Sequence, residues 1–116
     1  MRASMASKDP GERWRYIAFR IEGGGPFARS DFLNSLLHAS KGTTVRDSFR
    51  ITVFEGDFGI LKVSHRFKDD AIEMLTSVDS VEGTPCKVIT LKTSGTIKTL
   101  KEKYRDFISE DDERYR

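Results

Sequence analysis

The sequence predicts an α+β protein: one two-layer domain in which a small sheet carries helices on its surface. Three observations support this. Apolar residues alternate with period two in four separate runs. They recur at helical spacing in three others, and turn-forming residues separate the runs. At 116 residues the chain has room for one hydrophobic core.

The elements follow in order. Residues 1–12 (MRASMASKDPGE) are small and polar and contain Pro10-Gly11, so they are expected as a flexible arm, with Met5 as a second candidate start. A strand is predicted at about Trp14–Glu22, where Ile17, Phe19 and Ile21 alternate with Tyr16, Ala18 and Arg20. Gly23-Gly24-Gly25-Pro26 ends it. Ser30 is the predicted cap of a helix that starts at Asp31, carries Phe32, Leu33, Leu36 and Leu37, and ends at Gly42. A hairpin comes next: Phe49, Ile51 and Val53 alternate with Arg50, Thr52 and Phe54, Glu55-Gly56-Asp57 turns, and Phe58–His65 returns. A second helix is expected over Lys68 to Val78. Asp69 and Asp70 favour its N-terminal dipole, and Ala71, Ile72, Leu75 and Val78 form its apolar stripe. Gly83-Thr84-Pro85 leads into a fourth strand, Cys86–Thr93. Ser94 then caps a last helix reaching about Ile108, with Ile97, Leu100, Tyr104, Phe107 and Ile108 as its stripe. The folded unit is thus expected over 13–108, with a charged tail at 109–116.

The order β-α-β-β-α-β plus a C-terminal helix has a known solution. Two right-handed split βαβ units give an antiparallel four-stranded sheet with both internal helices on one face. This is the ferredoxin-like sandwich, the arrangement also used by RNA-recognition-motif domains.

Composition removes several function classes. The chain is 37% hydrophobic and 33% charged, yet its net charge is only +2, so attraction to a polyanion must come from uneven distribution. The single cysteine, Cys86, rules out an internal disulfide and a multi-cysteine zinc site. No apolar run approaches the ~20 residues that span a bilayer, so a cytoplasmic protein without membrane association is expected. Cys86 follows a proline at a strand start with no histidine nearby in sequence, which reads as structural. His38 and His65 are too few and too far apart for a metal site. Asp69-Asp70 and Asp111-Asp112 read as solvated charge, and Gly23-Gly24-Gly25 lacks phosphate-loop spacing. No catalytic residues and no bound metal or cofactor are expected.

The basic residues say more. From Lys87 to Arg105 the chain carries Lys87, Lys92, Lys98, Lys101, Lys103 and Arg105 against Glu102 alone. Lys98, Lys101 and Arg105 fall at i, i+3 and i+7 of the last helix. Free N–H groups at Ser94-Gly95-Thr96 suit a phosphate, and Gly95 would let a nucleic-acid backbone approach. If the internal helices cover Ile17, Phe19, Ile51, Leu61, Val63, Ile89 and Leu91, the other sheet face shows Tyr16, Arg20, Arg50, Phe54, Lys62 and Lys92. Aromatic and basic groups together suit RNA. Pattern leaves open whether the last helix lies across this face. In the third strand Phe58 and Gly59 match an RNA-recognition motif, but Ile60 and Val63 stand where later aromatics belong. Shape or phosphate recognition of a folded RNA is therefore expected over sequence reading.

Arg15-Tyr16-Ile17-Ala18-Phe19-Arg20, Gly59-Ile60-Leu61-Lys62-Val63 and above all Thr93-Ser94-Gly95-Thr96-Ile97-Lys98-Thr99-Leu100-Lys101 resemble ribonuclease P protein component 2 of archaea and its eukaryotic counterpart. The resemblance covers about residues 14–107. It implies an RNA-recognition-motif-like sandwich that binds the ribonuclease P RNA, whose Mg²⁺ ions and RNA groups remove the 5′ leader of precursor tRNA. It also implies pairing with the TIM-barrel-like protein component 3, contact with other ribonuclease P proteins, indirect contact with precursor tRNA, and self-association into a heterotetramer. Carried to this chain, it makes Ser94, Gly95, Thr96, Lys98 and Lys101 the leading RNA contacts, with Lys92, Arg105, Tyr16 and Arg20 beside them. Residues 30–48 are shorter than the family's usual segment, so no contact is carried over there. Two other readings stay open: a general structured-RNA binder, and a protein adaptor. For the adaptor, Phe54, Phe58 and Ile60 on an exposed hairpin would form the partner patch.

Overall fold

A computed structural model describes residues 13–43, 45 and 48–108. The arm at 1–12 and the tail at 109–116 lie outside these. The strands are β1 (Trp14–Gly23), β2 (Phe49–Phe54), β3 (Phe58–Ser64), β4 (Ser80–Val81) and β5 (Thr84–Ser94). The helices are α1 (Arg29–Ala39), α2 (Lys68–Ser77) and α3 (Ile97–Lys103), with 3₁₀ turns at His65–Phe67 and Arg105–Phe107. The sheet is antiparallel in the order β2-β3-β1-β5-β4. Its four long strands have the expected ferredoxin-like order. The fifth, β4, is two residues long and closes on β5 through Glu82-Gly83, both at positive φ. No hydrophobic period can reveal so short a strand. Beyond Pro85, no strand among the described residues pairs with the outer edge of β5.

The main core lies between the sheet and the two internal helices. Ile17, Phe19, Ile21, Ile51, Leu61, Val63 and Val88 meet Phe32 and Leu36 of α1 and Ala71, Met74 and Leu75 of α2. Phe32 stacks between Phe19 and Phe54, with centroids 5.3 and 5.4 Å away. The Arg29 guanidinium donates to the Ile51 carbonyl and ties α1 to β2. This helix begins one residue after Ala28, not at a Ser30 cap. Ser30 sits inside the first turn, and the Ala28 carbonyl accepts from the Phe32 N–H. Leu37 turns outward, 38% exposed.

Two β-bulges change which side chains face which way. On β2, Ile51 pairs with Leu61 but Val53 pairs with Ile60, leaving Thr52 as the extra residue. Its hydroxyl donates to the Ile60 carbonyl at 3.1 Å. An inserted residue reverses the alternation beyond it. Val53 therefore turns to the open face and Phe54 to the helix side, opposite to strict period two. On β5, Lys92 pairs with Ala18 but Thr90 pairs with Phe19, so Leu91 is the extra residue. Val88 enters the core, Ile89 turns outward beside Arg20, and Leu91 is 37% exposed. The expected core positions of Ile89 and Leu91 are thus corrected.

Gly59 is required by packing. It is registered between Phe19 and Phe54, and a methyl built on it would lie 2.5 Å from Phe19 Cζ and 2.9 Å from the Val53 carbonyl oxygen. Gly59→Ala should therefore lower the urea midpoint, with a loss of about 1–3 kcal/mol typical of overpacking. An unchanged midpoint would mean that the Phe19 ring has room to move.

The last helix lies across the open sheet face. Leu100 is buried against Ala18, Phe58 and Ile60, with Tyr16, Val53, Ile97, Tyr104 and Ile108 around them. Tyr104 and Phe107 pack on the Phe58 ring at 5.5 and 5.4 Å. The chain leaves β5 beside Tyr16 and doubles back over Ala18 and Ile60 towards Phe58. Regular helix stops at Lys103, and Arg105–Phe107 tightens to 3₁₀. The expected span to Ile108 is too long.

Candidate nucleic-acid interface

With α3 on the open face, the middle of the sheet is sealed and its two ends stay accessible. At one end strand register fixes a row across four strands: Arg50, Lys62, Tyr16, Ser94. Arg50 is exposed, and Lys62 and Tyr16 are half-buried. Trp14, two residues before Tyr16 on the same face, is 42% exposed, and Lys62 Nζ lies 4.5 Å from its ring centroid. At the other end Arg20 stands between Phe58 and Ile89, with Glu22 opposite Lys87.

Ser94 and Gly95 join the row to α3. Thr96 is the residue before the helix, in extended conformation, and its N–H donates to Ser94 Oγ at 3.2 Å. The Thr96 and Thr99 hydroxyls meet at 2.8 Å. Ser94 is therefore the end of a strand and the acceptor of a local turn, not the helix cap. With one N–H committed and only seven helical residues, attraction for an anion here rests more on side-chain charge than on the helix dipole. Arg15 Nη1 donates to the Trp14 carbonyl at 3.0 Å, and a methyl on Gly95 would meet it at an ordinary 3.5 Å. Nothing within the described chain crowds Gly95. Lys98 and Lys101, three residues apart, are exposed, and among the described residues neither is ion-paired.

The groups that could do covalent chemistry are scattered. Burial, and then the charge of Asp79, push the Cys86 thiol up from its ordinary value, which keeps it protonated at neutral pH. His38 lies on α1 and His65 after β3. Among the described residues no three His, Cys, Asp or Glu side chains gather as a metal would need, and no helix is long and apolar enough to cross a membrane.

The sequence matches the Rpp14/Pop5 family over residues 15–105, from the first strand to the turn after α3. The chain belongs to the Rpp14/Pop5 family. It is 31% identical over 100 residues to ribonuclease P protein component 2 of Thermococcus gammatolerans, covering 80% of this chain and 83% of that one. It is 27% identical over 95 residues to the protein of the same name from Methanosarcina acetivorans, covering 78% and 72%. A chain in the cryo-EM structure of yeast ribonuclease MRP superposes with a TM-score of 0.59 at 15% identity, covering 81% of this chain and 93% of that one; this likeness concerns the fold.

The Rpp14/Pop5 fold brings some expected residues together and separates others. Tyr16 stands opposite Ser94, which leads through the exposed Gly95 and Thr96 into the helix that carries the exposed Lys98 and Lys101, and Lys92 lies on the next row beside Ala18. Arg105 follows the end of α3, so helical register no longer links it to Lys98 and Lys101. Arg20 sits two rows from Tyr16, with the Ala18 row covered by α3 between them. The expected exposed patch of Phe54, Phe58 and Ile60 is corrected. Phe58 and Ile60 are fully buried under α3, and Phe54 packs on Phe32 across the sheet. Trp14 is the surface residue that element assignment alone missed. Its signal was present, an aromatic two residues before Tyr16 on one face of a strand.

Proposed function

We propose that this chain is a protein subunit of ribonuclease P, the ribonucleoprotein that removes the 5′ leader of precursor tRNA. The observation that carries this reading is the likeness to archaeal ribonuclease P protein component 2 across nearly all of the folded unit. In this reading the RNA and its Mg²⁺ ions perform hydrolysis, and this chain supplies no catalytic group and holds no metal. Lys98 and Lys101 lead the contacts to the RNA backbone, with Lys92 and Tyr16 and with Ser94, Gly95 and Thr96 at the junction, and Arg105 and Arg20 add contacts apart from these. A catalytic RNA must fold against its own charge. Cations that neutralise its phosphates release counterions and lower the Mg²⁺ needed to hold the fold. Protein component 3, other ribonuclease P proteins and a second copy of this chain are the protein partners, in the cytoplasm. A general structured-RNA binder would use the same surface and differ in selectivity.

The test is to tag the chain in its own cells, purify it gently and sequence the RNA that accompanies it. Enrichment of ribonuclease P RNA is expected. A diffuse RNA population would favour the general binder, and no RNA at all would overturn the reading.

A further inference from the structure

We infer that the sheet end around Trp14 is a stacking site for an unpaired nucleotide of RNA. This rests on the RNA-binding reading above and adds a ligand class to it: a base with an exposed face, rather than phosphates alone.

Four observations combine. Trp14 presents 42% of its surface at a strand start, although a large apolar ring ordinarily gains by burial. The ring is steadied by Lys62, whose ammonium sits 4.5 Å from the centroid and faces the same side of the sheet. Arg50, Lys62, Tyr16 and Ser94 form one row with no carboxylate in it, so the charge around the indole suits an anion. The row runs into Gly95 and Thr96, so the start of α3 lies at the same end of the sheet as the indole.

The cover over the rest of the face explains why stacking would occur here. RNA-recognition-motif domains stack bases on aromatics near the middle of the sheet. In this chain that area is occupied by Ala18, Phe58 and Ile60, sealed under Leu100, Tyr104 and Phe107. Among the described residues two aromatic rings stay markedly exposed: Phe107, on the outside of this cover, and Trp14, at the strand end beside the basic row. An indole offers its face to any base, so the site selects an unpaired nucleotide over a paired one without choosing among the four.

Trp14 is the single tryptophan of the sequence, so its fluorescence reports this site alone. The full chain would be titrated with a short single-stranded oligoadenylate, a blunt RNA duplex of equal length, and inorganic polyphosphate. Emission would be read alongside the anisotropy of the labelled RNAs. Single strands should quench Trp14, while duplex and polyphosphate bind through the lysines and leave its emission unchanged. Trp14→Ala should weaken single-strand binding about tenfold with little effect on duplex, and Trp14→Phe should retain most of the affinity. A single strand that binds without quenching, or with affinity indifferent to Trp14→Ala, overturns the stacking site and leaves the lysine surface standing. Failure of all three polyanions to bind overturns the RNA-binding reading itself. Quenching by the duplex equal to that by the single strand shows general contact and also overturns selectivity for unpaired bases.

Discussion

Phe58→Ala should destabilise the protein by about 3–5 kcal/mol, the usual range for removing a buried phenylalanine. Phe58 is fully buried on the open side of the sheet, where Leu100, Tyr104 and Phe107 close over it. The main core of Phe19, Phe32, Leu61 and Leu75 lies on the opposite side and does not depend on this ring. The substitution should therefore loosen α3 and the following 3₁₀ turn first, with the rest of the domain still folded. Urea unfolding measures the total loss, and hydrogen exchange at the Leu100 and Tyr104 amides measures its location. Phe107→Ala is the control. That ring stacks on Phe58 but is 46% exposed, so its loss should cost about 1 kcal/mol. Equal effects from the two would mean that the C-terminal segment does not rest on Phe58.

Reversing both lysines of α3, Lys98→Glu with Lys101→Glu, should lower affinity for structured RNA on the order of 100-fold at moderate salt. Every phosphate that a lysine no longer neutralises takes about one unit from the slope of log affinity against log salt. The double variant should then bind with a slope shallower by about two. Both side chains are exposed on a helix whose packing runs through Leu100. Stability should stay within about 0.5 kcal/mol of the parent. Anisotropy with labelled RNA over a salt series provides the measurement. An unchanged slope would move the RNA surface away from α3.

Much of this molecule could be read from residue order. Ile17, Phe19 and Ile21 against Tyr16, Ala18 and Arg20 gave β1 its two faces, and the turn Glu55-Gly56-Asp57 placed the hairpin between a correctly bounded β2 and a β3 that ends at Ser64, one residue before the expected His65. What stayed illegible was the effect of single inserted residues. Thr52 and Leu91 look like ordinary strand members in sequence, and only the partner strand shows that they have no opposite number. Each reverses the alternation beyond it, which is why Phe54 and Ile89 were assigned to the wrong sides. The stripe of the last helix was legible, but its destination was not, because an apolar stripe does not name the surface it covers. Lys98 and Lys101 were found as a charge pattern. The role proposed for Trp14 depends on Lys62, which lies 48 positions away in sequence and meets it only through the register of β1 with β3.

A strand edge without a neighbour is a template on which another chain can polymerise. Among the described residues the outer edge of β5 from Lys87 to Ser94 has no such neighbour, on the longest strand of the sheet. The bulge at Leu91 bends that edge midway, and the solvent-exposed Lys87 and Lys92 place two ammonium groups on either side of the bend. A second copy approaching edge to edge would meet a kinked backbone and like charge. The irregularity that misdirects a reader of the sequence thus guards the protein against open-ended fibrous growth.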